Sequence, residues 1–201
     1  MKNSLKIFLV LFSFLSVTKT NAQIPDKAEN ISPLLIGETL PKATLQNAEG
    51  KNVDLSEVLK KKPTVLVFYR GGWCPYCNLQ LSGLAKIEKD ILKLGYQIVA
   101  ISPDDYLNLK DTEQKDSVNY TVLSDKDGKF IADIGIAFQT PSAVKGYISK
   151  KGNKGKTSEL LPVPTVMVVN RAGEIQFEYI NPNYKTRLSS EMLLAVLKTI
   201  N

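Results

Sequence analysis

The sequence predicts an α/β fold, a sheet layered with helices. Through the first half of the chain, short runs of β-branched and aromatic residues alternate with segments whose apolar residues recur at helical spacing. Two further strands joined by a tight turn, then one helix, close it. With 201 residues, the chain is long enough for one domain with a full core and too short for two comfortable ones.

Taken in order, residues 1–22 place Lys2 and Lys6 ahead of an apolar stretch from Ile7 to Val17 and end on Thr20-Asn21-Ala22, the three-part pattern of a cleavable export signal. The apolar stretch is far shorter than the ~20 residues a membrane span needs. The mature chain is therefore expected to start near Gln23 and to work outside the cytoplasm, in a periplasm or the extracellular medium. Residues 23–32 are polar and read as a flexible lead-in to a domain spanning 33–201.

Ala43-Thr44-Leu45 and Asn52-Val53 flank Ala48-Glu49-Gly50 as a small hairpin, and Leu55 to Leu59 forms a helical turn. Thr64 to Tyr69 reads as a buried strand. A helix follows, with Leu84, Ile87, Ile91 and Leu94 on one face. Gln97 to Ser102 is a second apolar strand, ended by Pro103-Asp104-Asp105, and residues 106–117 are polar and weakly helical. Tyr120 to Leu123 is a short strand before the Ser124-Asp125-Lys126-Asp127-Gly128 turn, and Phe130, Ile131 and Ile134 fit a helix that stops near Gly135. Thr165 to Val169 and Glu174 to Tyr179 pair across Arg171-Ala172-Gly173, the second alternating as if one face were wet. Ser189-Ser190-Glu191 starts the closing helix. Between these, Gln139 to Leu161 carries three glycines and five lysines and reads as a long basic loop, either a solvated excursion or a loop serving the site.

Composition removes several function classes. Without residues 1–22 the formal net charge falls from +6 to +3, which gives little support for nucleic-acid binding. The chain has no histidine, so Ser-His and Cys-His nucleophile pairs and histidine-containing metal sites are excluded. Its two cysteines supply half of a typical zinc site. No metal or organic cofactor is indicated, and thiol redox chemistry survives.

Both cysteines sit in Phe68-Tyr69-Arg70-Gly71-Gly72-Trp73-Cys74-Pro75-Tyr76-Cys77, spaced Cys-x-x-Cys. The local order is strand, glycine-rich turn, cysteine pair, helix. One turn at a helix start brings two sulfurs close enough to form and break a disulfide. Pro75 suits the first helical position, which sets both sulfurs near the positive end of the helix dipole and favours thiolate over thiol. Arg70 adds positive charge if the turn folds it back, and Trp73 serves as lid or packing residue. The alternative is a static Cys74–Cys77 clamp, but so short a loop constrains little unfolded-chain entropy.

Trp73-Cys74-Pro75-Tyr76-Cys77 resembles the active-site motif of the thioredoxin superfamily. The wider frame, Leu35-Ile36-Gly37-Glu38 with Pro41, the Ser124–Gly128 turn and the final hairpin, resembles the AhpC/TSA peroxiredoxins, especially their peroxiredoxin-like and bacterioferritin-comigratory branches, over Pro33 to Ile200. The resemblance implies a thioredoxin fold: a central mixed sheet flanked by helices, with an N-terminal hairpin of the peroxiredoxin type. It also implies a redox disulfide between Cys74 and Cys77 as the catalytic pair, with Arg70, Trp73, Pro164 and Thr165 positioning the substrate.

The two templates assign the sulfurs differently. In the thioredoxin frame Cys74 attacks, Cys77 resolves, and Val163-Pro164-Thr165 is a cis-proline loop that presents backbone to a substrate. In the peroxiredoxin frame Cys77 holds the peroxidatic position, which makes it the favoured attacking thiol, and Cys74 replaces a threonine. There, Arg70 stands for a proline and Pro164 for an arginine. The buried carboxylate of the thioredoxin frame is replaced by Phe68. Arg187, after Asn181-Pro182-Asn183-Tyr184, resembles a recurrent arginine of the peroxiredoxin-like branch. The leading expectation is a peroxidase reducing hydrogen peroxide or organic hydroperoxides, with the disulfide returned to dithiol by a thioredoxin-like or other thiol donor. The alternatives are a protein disulfide reductase and a non-enzymatic interaction protein. Neither nucleic acid nor, after signal cleavage, membrane is an expected partner.

Overall fold

The computed structural model describes residues 23–151, 153–155 and 158–200. The expected export signal, residues 1–22, lies outside the described residues. The strands are β1 (Thr44–Gln46), β2 (Asn52–Asp54), β3 (Thr64–Phe68), β4 (Gln97–Ser102), β5 (Thr121–Ser124), β6 (Ala137–Gln139), β7 (Leu160–Pro162), β8 (Thr165–Val169) and β9 (Ile175–Ile180). The helices are α1 (Leu55–Leu59), α2 (Pro75–Lys93), α3 (Leu109–Asp116), α4 (Lys129–Asp133), α5 (Ser142–Lys150) and α6 (Ser190–Thr199).

Seven strands form one mixed sheet in the order β2-β1-β5-β4-β3-β8-β9. At its centre β3, β4 and β5 run parallel, and β8 lies antiparallel to β3. This is the expected α/β architecture of the thioredoxin fold with its N-terminal hairpin, β1–β2. All five residues of β3 are buried, because side chains leave a strand on alternate faces and both faces are covered. Val65, Val67 and Tyr69 enter one apolar cluster with Cys77, Leu81 and Leu84 of α2 and Leu193 and Leu197 of α6. Leu66 and Phe68 enter the other, with Leu55 of α1 and Phe130 and Ile131 of α4.

The parallel pairing decides where chemistry can sit. Phe68 of β3 lies opposite Ile101 of β4, so the segments leaving these two strands emerge side by side at one end of the sheet. These segments are Arg70–Cys74 and Pro103–Asp105, and loops at the carboxyl ends of parallel strands are where such sheets hold ligands.

Three expectations are revised by the packing. The basic stretch from Gln139 to Leu161 is not one loop. It is α5 carried on the antiparallel ribbon β6–β7, whose Phe138 and Leu161 form a third small apolar cluster with Val163. Propensity is weak there because Gly146 interrupts the helix, and tertiary packing of Ile148, buried at 2% exposure, supplies what propensity does not. The lead-in at 23–32 is tied to the domain: Gln139 N–H donates to the Pro25 carbonyl, and Ile24 and Ile31 pack against the core. Strand β9 alternates less than expected, since Phe177 to Ile180 are all half-buried.

Gly135 marks where the lead-in crosses α4. It has φ +73°, and a Cβ there would collide with the backbone carbonyl of Ser32. Gly135→Ala is expected to lower the unfolding free energy by about 2 kcal/mol or more, combining left-handed strain with displacement of that segment. Denaturant unfolding checks this, and an unchanged midpoint would contradict the packing described.

Candidate active site

Cys74 is the N-cap of α2 and Pro75 its first residue, as the sequence predicts. The Cys74 carbonyl accepts from the N–H groups of Cys77 and Asn78 at 3.0 and 3.1 Å, and the Cys74 N–H donates to the Gly71 carbonyl at 3.1 Å. The turn before it is held from both sides. Gly72 N–H donates to Asp104 Oδ2 at 2.8 Å, and the Gly72 carbonyl accepts from Asn78 Nδ2 at 3.0 Å. Gly71 has φ +141°, and a Cβ there would lie 2.5 Å from Asp104 Oδ1, so the turn demands glycine.

The two sulfurs are unbonded thiols with different surroundings. Cys74 is 1% exposed and lines a cavity of about 350 Å³ walled by Arg70, Trp73, Pro75, Tyr76, Val144, Tyr147 and Tyr184, among others. Cys77 is fully buried behind it, in the apolar cluster under the sheet. The hydrogen bond from the Cys77 thiol, the Cys77 backbone N–H and the charges of Arg70 and Arg187 together bring Cys74 down to about 6, against the opposing effect of burial. Burial and the neighbouring Cys74 push the Cys77 thiol up, although Arg187 opposes this. The pair therefore holds a single negative charge, which rests on Cys74.

Two arginines frame this charge. Arg70 does fold back over the site. It is 7% exposed, with its guanidinium 5.0 Å from the Trp73 ring centre and 4.6 Å from that of Tyr184. It forms no ion pair with a carboxylate among the described residues, and its Nε has no hydrogen-bond partner. Arg187, half-buried, is fixed by three bonds: Nε to the Tyr184 carbonyl at 2.8 Å, Nη1 to Gln80 Oε1 at 3.0 Å and Nη2 to Cys77 Sγ at 3.4 Å. The resemblance marked Arg187, and the structure brings it onto the second sulfur.

Trp73 is a wall of the cavity and meets Tyr147 of α5 edge to face, centres 6.1 Å apart. The stretch expected as a basic loop thus serves the site through its helix. Pro164 and Thr165 do not reach the sulfurs' cavity. Pro164 lines a neighbouring cavity of about 280 Å³ that shares Arg70 and Tyr184, while Thr165 is buried in β8 with its hydroxyl donating to the Val163 carbonyl. The expected cis-proline loop is absent: every described peptide bond is trans. The backbone of this loop is also already occupied, since Val163 N–H donates to the Ile136 carbonyl and Pro164 C=O accepts from Asn181 N–H.

From the sequence alone Asp104 reads as a strand terminator. Burial pushes its carboxyl up to about 7, opposed by hydrogen bonds from Gly72 N–H and the Trp73 indole. No local signal marks it: only the parallel β3–β4 register sets the residues after Ser102 beside those after Phe68. No group of three His, Cys, Asp or Glu able to hold a metal occurs among the described residues.

The model of the AhpC/TSA family matches residues 36–178. The chain belongs to the AhpC/TSA family. Among curated relatives, chloroplastic Peroxiredoxin Q of Suaeda salsa is 33% identical over 120 residues, which is 60% of this chain and 56% of that protein. Peroxiredoxin Bcp of Escherichia coli K12 is 28% identical over 106 residues, 53% of this chain and 67% of that protein. The alignments thus span between about half and two thirds of such relatives. Among solved structures, reduced Prx3 of Vibrio vulnificus aligns with TM-score 0.69 and 21% identity, covering 82% of this chain and 99% of that one. Peroxidoxin BcpB of Mycobacterium tuberculosis aligns at 0.65 and 21%, covering 83% and 97%. Both share the fold.

The charge on Cys74 carries a linkage consequence for this AhpC/TSA chain. Its folded pKa, about 6, lies below the unfolded value of about 8.5. Its stabilisation is therefore fully present above the unfolded value and is lost as pH falls through the folded one. The raised Asp104 carboxyl acts oppositely, its contribution falling as pH rises towards about 7, but burial dominates that shift and a Cys74 variant removes only its smallest cause, the Cys74 charge. The unfolding free-energy difference between reduced wild type and Cys74→Ser is expected to widen as pH rises from about 6 to about 8.5. A pH-independent difference would contradict the assignment. Arg187→Leu should shift the Cys74 titration, followed by ultraviolet thiolate absorbance, to higher pH.

Proposed function

We propose that this chain is a thiol peroxidase in which Cys74 attacks first and Cys77 resolves. The observation that carries the reading is Cys74 itself: a sulfur of lowered pKa in the wall of a small cavity, with only 1% of its residue surface exposed. A peroxide fits such a space, whereas a protein disulfide has to bring two chains and a third sulfur to it. The names of the relatives, peroxiredoxins throughout, support the same substrate class. The hydrogen-bonding edge of Val163-Pro164, which a disulfide reductase would offer to a substrate strand, is taken by the chain's own Ile136 and Asn181.

The chemistry follows from the two sulfurs. The Cys74 thiolate donates its electron pair to the nearer peroxide oxygen, an S–O bond forms and the O–O bond breaks. The departing alkoxide or hydroxide takes the proton of the Cys77 thiol, leaving Cys74 as sulfenic acid and Cys77 as thiolate beside Arg187. Cys77 attacks the Cys74 sulfur, hydroxide leaves, and the Cys74–Cys77 disulfide forms. Arg70 and Arg187 stabilise the charge as it passes between these atoms. An external dithiol of the thioredoxin type returns both sulfurs to the reduced state by exchange. Residues 1–22 direct the reaction to a compartment outside the cytoplasm, as their lysine-then-apolar pattern suggests.

The test is single-turnover peroxide consumption alongside insulin disulfide reduction, for wild type, Cys74→Ser and Cys77→Ser. Wild type should consume peroxide and leave insulin largely intact. Cys74→Ser should be inert, and Cys77→Ser should turn over once and retain a sulfenic acid. Insulin reduction with no peroxide consumption would make the chain a disulfide reductase instead. An inert Cys77→Ser beside an active Cys74→Ser would reverse the order of attack.

A further inference from the structure

Asp104 is a buried carboxylate to which the two-sulfur mechanism gives no part. It follows β4 and is 5% exposed, and its own main chain is fixed: its N–H donates to Ser102 Oγ at 3.3 Å and its carbonyl accepts from Ser124 Oγ at 2.5 Å. With the main chain anchored, the carboxylate is a fixed post. Its Oδ2 accepts from Gly72 N–H at 2.8 Å, and the Trp73 indole N–H, beside the carboxylate, favours its charged form. Those donors belong to the two residues immediately before Cys74. The closeness of a Gly71 Cβ to both carboxylate oxygens, and of a Gly72 Cβ to the Thr112 hydroxyl, shows how closely the turn is pressed onto this post.

We propose that Asp104 is a positioning residue for the reaction at Cys74, holding the Gly71-Gly72-Trp73 turn and the Trp73 wall of the cavity in register with the sulfur. This rests on the thiol-peroxidase reading. The same carboxylate faces Cys74, Tyr69 and Asp105 and lines a second cavity, of about 250 Å³, with Asp111, Lys115 and Lys151 on its other walls. A role through charge alone is therefore a real competitor. The two roles part on what an uncharged acceptor can do. Asparagine keeps an oxygen for the turn and loses the charge, while alanine loses both.

The experiment uses the full reduced chain and compares wild type, Asp104→Asn, Asp104→Ala and Trp73→Phe. Trp73 is the only tryptophan, so intrinsic emission reports the wall directly. Asp104→Ala should shift the emission and lower kcat/KM for hydrogen peroxide by about tenfold or more, the scale of a small misplacement of a reacting group. Asp104→Asn should restore most of both losses. Trp73→Phe keeps a ring and removes the indole donor. It should lower kcat/KM severalfold, and it carries the test if Asp104→Ala does not fold. Equal impairment of the asparagine and alanine variants would overturn the proposal in favour of charge. An alanine variant with native emission and rate, or an unaffected Trp73→Phe, would overturn it outright. A wild type that ignores peroxide would instead sink the peroxidase reading, and the emission series would still decide the role of Asp104.

Discussion

The site depends on one interaction, the hydrogen bond that the buried Cys77 thiol gives to the Cys74 sulfur. It is the largest influence holding the Cys74 thiol down. A lone thiolate at 1% exposure would face an unfavourable desolvation cost. A neighbouring S–H donor, a helix start and two guanidinium groups offset it. Burial above all keeps Cys77 protonated, and the same bond adds to it, because two adjacent buried thiolates would repel. The division of labour between the sulfurs thus precedes any substrate.

The surrounding architecture maintains this pair. The parallel β3–β4 register delivers the cysteine turn and Asp104 to the same end of the sheet. Asn78, one residue beyond Cys77, returns to hold the Gly72 carbonyl, so α2 braces the turn that begins it. Arg187 arrives from the segment before α6 and ties Cys77 to Gln80 and the Tyr184 carbonyl. Tyr184 and Trp73 sandwich Arg70, whose charge is kept close to Cys74 by aromatic faces and not by a carboxylate that would neutralise it.

Much of the fold was legible because its signals are local. Leu55 to Leu59, Gln97 to Ser102 and Thr165 to Val169 have the bounds that hydrophobic pattern and turn residues suggest. The cysteine pair and the Pro75 helix start were legible for the same reason. What escaped depends on contacts distant in sequence. Helix α5 carries a glycine and a basic surface and is fixed by a ribbon whose strands are three residues each. Asp104 looks like a turn residue until the sheet register sets it beside Gly72. The proposed order of attack, Cys74 before Cys77, rests on depth, which spacing does not encode: one sulfur lines the cavity and the other is sealed behind it. The proline at 164 invited a substrate loop, yet its neighbour's N–H was already bonded to Ile136.

The most direct measurement is pH-dependent alkylation of the reduced chain with a small haloacetamide, with the modified cysteine located by peptide mass spectrometry. The expected result is a first modification at Cys74 whose rate titrates near pH 6, with Cys77 unreactive until alkaline pH. First modification at Cys77, or a Cys74 that titrates as an ordinary thiol near about 8.5, would contradict the placement of the charge on which the site depends.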